Sequence, residues 1–443
     1  MARSEGSGRP GEGSGARPDR RAVRSDSEIG EHRPSALDRA LANSRNIAVF
    51  GPLPGLDRDL LTVRLRSVAA QVPRLRLDPF APDGVWARRT DTLAVEDLAT
   101  PASPRDLPDT PGGHLGVIAT HVRHQDPVPL RVAVCDDHLV VDHSHGLGDG
   151  RLAPALQAVL LDSAPPAVHA ALAHDAPAGS VRRALADQIL RHPRRLAEVR
   201  RLRADNARTD IVAEPADIDP RQVRTVSATM PPDGVAALRE RVSATDGASD
   251  ASATVAMWVS ALRRAGVASD DVVQVLVDCR RYLRRDDAGM GNLAIALPIR
   301  MPAPVTAASV RQRVRSATES AWPLAVLGVN ATKARLHRGT PDPGADTAAA
   351  VRTSSRIRLS VSDIGRIPLY DGVLPGLSGP LPQLGAGIDP DGPEALTLLV
   401  SEVGGARTLS ATFHADVLAP AAVHAALVDM CRDPVAALEG SGS

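Results

Sequence analysis

The residues with the clearest chemical potential lie in the segment 143–150, which reads His-Ser-His-Gly-Leu-Gly-Asp-Gly. Histidine is the side chain whose ordinary pKa suits a general base near neutral pH. His145 therefore qualifies as the base that takes a proton from a hydroxyl or an amine during acyl transfer from a thioester. Asp149 is placed to fix the turn by pairing with a cation. Gly150 is one of three glycines that let the backbone fold tightly around the imidazole.

The flanking pattern predicts which elements carry this segment. Apolar and polar residues alternate over 130–135, a polar pair follows at 136–137, and a second apolar run leads into His143. This pattern predicts a β-hairpin with the segment at the exit of its second strand. Apolar residues at near-helical spacing over 152–160 then predict a helix. The expected order is strand, glycine-rich turn, helix.

A metal site is the rival interpretation of the same histidines. His143 and His145 lie two residues apart, so on an extended strand both side chains could reach one zinc ion, as in metallohydrolases. The HxHxDH pattern of such enzymes is not met, because Leu147 stands where the aspartate should be and no histidine follows. We therefore expect no metal, and a metallohydrolase remains the less favoured alternative.

Composition excludes several classes of function. The 52 Lys and Arg residues balance the 52 Asp and Glu residues, and aromatic residues make up only 2% of the chain, which argues against nucleic-acid binding. Lys333 is the only lysine, so a Schiff-base mechanism is disfavoured. Three scattered cysteines favour a reducing cytoplasm, and no apolar run is long enough to predict a membrane span.

The chain divides into three predicted regions. Residues 1–42 are rich in Gly, Ser, Arg and Pro and predict a disordered tail. Residues 43–212 form a first lobe that carries the 143–150 segment, and residues 213–438 form a second lobe. Helical and strand patterns mix throughout both, including a buried strand at 272–277 and later strands near 356–362, 395–402 and 407–413. The fold class is therefore α/β.

Residues 144–150 resemble the HHxxxDG signature of the superfamily that contains chloramphenicol acetyltransferase, peptide-synthetase condensation domains, plant BAHD acyltransferases and wax ester synthases. Actinobacterial polyketide-associated acyltransferases are the most similar in character. Three further segments are similar to the family, in the order the family has them, namely 71–76, 277–283 followed by Gly291 and Asn292, and 362–366. Ser144 stands where the family has its first histidine.

The resemblance implies roles for individual residues. His145 is the base and Asp149 holds the loop through an ion pair with an arginine of the other lobe, for which Arg280 is the candidate. His143, Ser144, Asn292 and Asp363 are candidates to line the tunnel.

It also implies the architecture and the substrates. Each of two chloramphenicol-acetyltransferase-like lobes is a mixed sheet flanked by helices, with the active-site tunnel between them. The donor is acyl-CoA or an acyl group on the phosphopantetheine arm of a carrier protein, with no bound cofactor. The acceptor is a small molecule of specialised or lipid metabolism.

A second alternative is a protein with the same fold but no catalytic activity. Condensation-like domains can act as inactive docking modules, and a fold does not by itself imply an activity. The departure at Ser144 leaves this alternative open, whereas the presence of both His145 and Asp149 favours an active transferase.

Overall fold

The computed structural model describes residue 32 and residues 34–81, 85–89, 91–102, 107–177, 179–208, 213–215, 218–284, 289–336, 352–354, 356–374 and 379–442. Within these ranges the helices are α1 (Ala36–Ala40), α2 (Arg58–Gln71), α3 (Gly113–Arg123), α4 (Leu152–Leu160), α5 (Pro166–Ala173), α6 (Ser180–Arg191), α7 (Arg194–Asp205), α8 (Pro232–Ser243), α9 (Asp250–Arg264), α10 (Ala307–Glu319), α11 (Trp322–Leu336), α12 (Pro420–Arg432) and α13 (Pro434–Glu439). The strands are β1 (Arg45–Gly51), β2 (Val95–Leu98), β3 (Leu130–Cys135), β4 (His138–Ser144), β5 (Ala213–Pro215), β6 (Val223–Met230), β7 (Val272–Asp278), β8 (Ala294–Arg300), β9 (Arg352–Ser354), β10 (Arg358–Arg366), β11 (Gln383–Ile388), β12 (Ala395–Val403) and β13 (Ala406–His414).

The sheet of the first lobe has the strand order β11-β1-β4-β3-β2 and is antiparallel except between β2 and β3. Helices α2 and α4 pack on one face, with Leu65 and Leu156 in the same apolar cluster as Phe50 of β1. Helix α3 packs on the other face, where Leu115 joins the cluster of Val49. The predicted hairpin is present as β3 and β4, and their residues are buried because both faces are covered.

The sheet of the second lobe has the order β6-β13-β12-β10-β7-β8, with β10 parallel to both β12 and β7. Its core contains Trp258 of α9, Leu398 of β12 and Phe413 of β13. Both sheets mix parallel and antiparallel pairs and are flanked by helices, so the two-lobed α/β prediction is confirmed. The third, small sheet pairs β5 with β9.

Two features differ from the sequence-based division of the chain. The helix α1 begins at Ala36 with a capping box on Ser35, inside the range that composition assigned to a tail, and its Asp38 is buried. Residues 1–31 lie outside the described residues. Strand β11 lies within the range assigned to the second lobe, yet it pairs with β1 of the first lobe over Gln383–Ile388. The boundary at residue 212 therefore does not separate the two sheets.

The lobes also meet along the edge strand β6. Thr120 of α3 exchanges hydrogen bonds with the backbone N–H and carbonyl of Thr225, and Gly116 lies so close that a Cβ there would sit 2.8 Å from the Thr225 oxygen. In the described ranges, no helix is long and apolar enough to cross a membrane.

Candidate active site

The segment 143–150 leaves β4 at Ser144, forms a short 3-10 turn over His145–Leu147 and enters α4 at Leu152. The backbone N–H of His145 donates to the Ser44 carbonyl at 2.6 Å, which extends the pairing of β4 with β1 by one residue. His145 is partly exposed, whereas its neighbours in the turn are buried. The strand, turn and helix order therefore places one imidazole at a strand exit, where a substrate can reach it.

Ser144 holds this turn closed. Its hydroxyl donates to the Ala42 carbonyl at 2.5 Å and accepts from the Gly146 N–H at 3.1 Å. The side chain is fully buried. Ser144 therefore fastens the turn to the segment before β1 and does not face an open space, unlike the tunnel-lining position considered from sequence.

Asp149 and Arg280 meet across the two lobes. The Arg280 Nη1 atom lies 2.7 Å from Asp149 Oδ2, and both side chains are buried. The other Asp149 oxygen accepts from the Arg151 N–H at 3.2 Å. Burial alone would lower the pKa of Arg280, but the adjacent Asp149 carboxylate overcomes this and raises it, so the guanidinium stays protonated.

Arg280 reaches further into its own lobe. Its Nε donates to the Gly289 carbonyl at 3.2 Å and its Nη2 to the Gly291 carbonyl at 3.0 Å. Asp278 accepts from Arg280 Nη1 at 3.3 Å and also pairs with the exposed Arg151 at 2.5 Å. A single guanidinium thus ties the turn to the loop that precedes β8, using the fixed fork of donors that arginine offers.

Asn292, on that same loop, contacts the turn directly. Its Nδ2 donates to the His145 carbonyl at 2.8 Å and to Asp38 Oδ1 at 2.8 Å. Asn292 is buried, and with Asp38 it forms part of the wall of a cavity of about 400 Å³. It therefore positions the backbone of His145 from the second lobe.

Arg74 makes the corresponding contact from the first lobe. Its Nη1 donates to the Leu147 carbonyl at 2.8 Å, and its Nε and Nη2 bind Asp175. From the sequence, residues 71–76 show only a family resemblance, which implies no role for Arg74. In the sequence, Arg74 follows Pro73 at the end of a predicted helix. No spacing rule links that position to a turn 73 residues further along the chain.

Glycine is required at position 146 and not at position 150. A Cβ on Gly146 would lie 2.8 Å from the Asp38 carbonyl oxygen, 2.9 Å from Trp86 and 3.0 Å from Ala42 Cα. A Cβ on Gly150 would meet nothing within 4 Å, and Gly150 is exposed. Gly150, grouped with the catalytic residues from sequence, therefore has no close contact that a side chain would disturb.

We expect Gly146→Ala to lower the free energy of unfolding by about 1–3 kcal/mol, because the added methyl group must displace backbone atoms. Gly150→Ala is the matched control and should change it by less than about 0.5 kcal/mol. Urea unfolding of the three proteins measures the difference. Equal destabilisation by both substitutions would contradict the packing described for the turn.

His143 is fully buried on β4. Its Nδ1 lies 2.8 Å from the Ser144 carbonyl oxygen, and because a carbonyl can only accept, Nδ1 carries the proton. Burial lowers the pKa of His143 to about 4. The side chain is therefore a neutral core histidine at physiological pH and does not line an open space.

The burial of His143 predicts a pH dependence. The folded protein holds His143 neutral down to about pH 4, whereas the unfolded chain binds a proton near the ordinary pKa of 6.5. Protonation therefore favours the unfolded chain, and stability should fall as the pH drops from 6.5 to 4, by at most about 3 kcal/mol. Thermal melts across this window should show a shallower slope for His143→Gln. An unchanged slope would show that other groups cause the dependence.

Asp363 lies apart from this turn. Its carboxylate accepts from the Gly365 N–H at 2.9 Å, at a bulge where Gly365 has a φ of +68°. Burial raises the pKa of Asp363, and the nearby Arg407 opposes that rise. Among the described residues, no hydrogen bond or ion pair joins Asp363 to the segment 143–150, so its position differs from the tunnel-lining role considered from sequence.

The histidines show no metal-binding arrangement in the described residues, since no group of three or more His, Cys, Asp or Glu side chains lies close enough to hold an ion. His143 and His145 also differ in environment, because the first is in the core and the second is at the strand exit. This geometry gives the metallohydrolase alternative no support.

Solved structures show the same architecture. The condensation domain of the monacolin K polyketide synthase MokA aligns with a TM-score of 0.56 at 14% identity, over 93% of this chain and 98% of that chain. The trichothecene 15-O-acetyltransferase from Fusarium sporotrichioides aligns with a TM-score of 0.59 at 12% identity, over 92% and 95%. This chain has the two-lobed condensation-domain fold.

The epimerization domain from the third module of tyrocidine synthetase B also has this fold, with a TM-score of 0.52 at 12% identity, over 94% of this chain and 100% of that chain. No protein-family model matches the sequence, and no curated protein is significantly similar to it. The condensation-domain fold thus carries acetyl transfer, condensation and epimerization in these structures. The fold therefore does not by itself assign an activity to this chain.

Proposed function

We propose that the protein is an acyltransferase that moves an acyl group from a thioester to a hydroxyl or an amine, with His145 as the general base. The supporting observation is the partly exposed imidazole of His145 in a turn that both lobes hold, through Arg280 on Asp149 and Asn292 on the His145 carbonyl. A base must be held within hydrogen-bond reach of the proton it removes, and these contacts fix its backbone. The fold of an acetyltransferase adds to this support.

In the proposed reaction, the Nε2 atom of His145 takes the proton. Its Nδ1 atom is buried, which leaves Nε2 as the nitrogen that a substrate can approach. As the acceptor oxygen or nitrogen attacks the thioester carbonyl carbon, its proton passes to Nε2. The carbon–sulfur bond of the tetrahedral intermediate then breaks, and the leaving thiolate takes that proton. An ester or amide and a free thiol are formed, no acyl-enzyme is needed, and ternary-complex kinetics follow.

Acyl-CoA and acyl groups on a carrier-protein phosphopantetheine arm are the proposed donors, and a small molecule of specialised or lipid metabolism is the proposed acceptor. The condensation domain of a polyketide synthase has this fold, and so has part of a nonribosomal peptide synthetase, which supports a carrier-bound donor as one of the two forms. A cytoplasmic location is part of the proposal, and the free, buried thiols of Cys135, Cys279 and Cys431 are consistent with it.

The test is donor-dependent release of a free thiol. The purified protein is incubated with a panel of acyl-CoAs of increasing chain length and with acyl-phosphopantetheine on a carrier protein, each with and without pooled alcohols and amines. We expect thiol release that requires an acceptor, together with a new ester or amide in the mass spectrum. If the folded protein released thiol from none of these donors, the proposal would be wrong and the docking-module alternative would be favoured.

A further inference from the structure

Positive charge is concentrated on the consecutive helices α6 and α7. Residues 180–208 contain nine arginines and three acidic residues, although the chain as a whole has no net charge. Two of the acidic side chains, Asp187 and Asp205, pair with arginines one turn away on their own helix. A basic surface on a neutral protein indicates a local partner of negative charge.

Three of these arginines are exposed and have no partner. Within the described part of the chain, the side chains of Arg194, Arg200 and Arg203 form no ion pair and no hydrogen bond. Arg200 and Arg203 follow Leu196 on α7 by four and seven residues, so these three side chains share one face of the helix. The charge on this face is therefore available to a ligand.

The turn between α6 and α7 exposes apolar side chains beside these arginines. Seven of the eight residues 190–197 are exposed. Leu190 is 80% exposed, more than any other large apolar side chain in the described ranges, and Leu196 is 43% exposed. A single exposed leucine is ordinary on a protein surface. Here two leucines lie within one turn among arginines, and we call residues 190–203 the basic corner.

Other side chains of the two helices hold them against the protein. Leu185 of α6 packs against the cluster that contains Leu324 and Leu327 of α11. Leu202 of α7 belongs to the core of the second lobe. The helices are therefore anchored by these apolar residues, and the arginines and leucines of the basic corner are left to solvent.

We propose that the basic corner binds membrane surfaces that contain anionic lipids. Arg194, Arg200 and Arg203 contact the lipid phosphates, and Leu190 and Leu196 enter the boundary between the headgroups and the acyl chains. Amphipathic segments that lie in a membrane interface combine arginine with leucine, because the guanidinium stays at the headgroups while its methylene stem and the leucines reach the apolar region. An anionic bilayer supplies both the negative charge and the apolar region, whereas an acidic polypeptide supplies only the charge.

Flotation of the whole protein with lipid vesicles tests the proposal. We expect binding to vesicles of equal parts phosphatidylglycerol and phosphatidylcholine, and far less binding to phosphatidylcholine alone. Binding should weaken as the ionic strength rises from about 0.1 M to about 1 M, because salt screens the attraction between arginine and phosphate. Equal binding to both kinds of vesicle, or binding to neither, would overturn the proposal.

Substitutions in the basic corner should separate the two contributions to binding. Replacing Arg194, Arg200 and Arg203 together with glutamine should weaken vesicle binding about 100-fold, because each arginine near an anionic surface contributes about fivefold. Leu190→Ser should weaken it about tenfold, because the apolar contact is lost. Both variants should melt like the wild type, since the substituted side chains are exposed.

Arg263, Arg313 and Arg432 provide the matched control. They are exposed on α9, α10 and α12, and like the arginines of the basic corner they form no ion pair or hydrogen bond through their side chains with any described residue. Replacing all three with glutamine removes the same charge elsewhere and should leave vesicle binding unchanged. Equal losses in the two triple variants would refute a local binding surface.

Polyglutamate distinguishes a lipid surface from an acidic polypeptide. If polyglutamate bound the protein more tightly than the anionic vesicles, and Leu190→Ser bound the vesicles like the wild type, the membrane proposal would be wrong. Vesicle binding is measured without an acyl donor, so its outcome is independent of the proposed acyl transfer.

Discussion

Replacing His145 with alanine should lower turnover by about 10²- to 10⁴-fold, the range expected when a general base is lost. The protein should stay folded, because the contacts of His145 within the turn come from its backbone, with the N–H on Ser44 and the carbonyl on Asn292. Alanine keeps both. The measurement is acceptor-dependent thiol release at saturating donor, together with the melting temperature.

His192 provides the control for this substitution, because it is an exposed histidine just after α6. His192→Ala should leave turnover and melting temperature at the values of the wild type. Full turnover in His145→Ala would contradict the mechanism proposed for the site, whatever the fold.

Asp149→Asn should lower both stability and turnover. It leaves the buried Arg280 without its main counter-ion, and breaking a buried pair costs about 3–5 kcal/mol. Turnover should fall as well, because the same contact ties the turn to the second lobe. Urea unfolding and thiol release measure the two effects, and a double-mutant cycle with Arg280→Gln isolates the coupling between the side chains.

The exposed ion pair of Arg151 with Asp278 provides a comparison for the buried pair of Asp149 with Arg280. The pair of Arg151 with Asp278 joins two substantially exposed side chains, with 60% and 33% of their surface accessible. Arg151→Ala should therefore cost no more than about 1 kcal/mol. An Asp149→Asn variant that melted like Arg151→Ala would show that the interlobe pair does not hold the turn.

Local patterns predicted the elements that carry the site. Alternation of apolar residues indicated β3 and β4, and the run after Gly150 indicated α4, because burial on a sheet face or a helix stripe imposes a period that the sequence displays. The buried strand predicted at 272–277 corresponds to β7, which ends two residues before Arg280.

The contacts that hold the turn could not be predicted from a periodic pattern of residues. Asn292 on the His145 carbonyl and Arg74 on the Leu147 carbonyl are single hydrogen bonds between distant segments, and neither imposes a period on the residues around it. The sheet to which strand β11 belongs could not be predicted either, because tertiary packing decides which of the two sheets it joins.

The pairing of β1 with β11 links residues that stand more than 330 positions apart in the chain, as in Asn46 with Ile388. During synthesis the hairpin of β3 and β4 can form early, but one edge of β1 stays open until the segment Gln383–Ile388 has been made. An open strand edge is a template for pairing with other chains. A fragment that stops at residue 212 should therefore aggregate, and synthesis of the segment Gln383–Ile388 should limit how soon this sheet is completed.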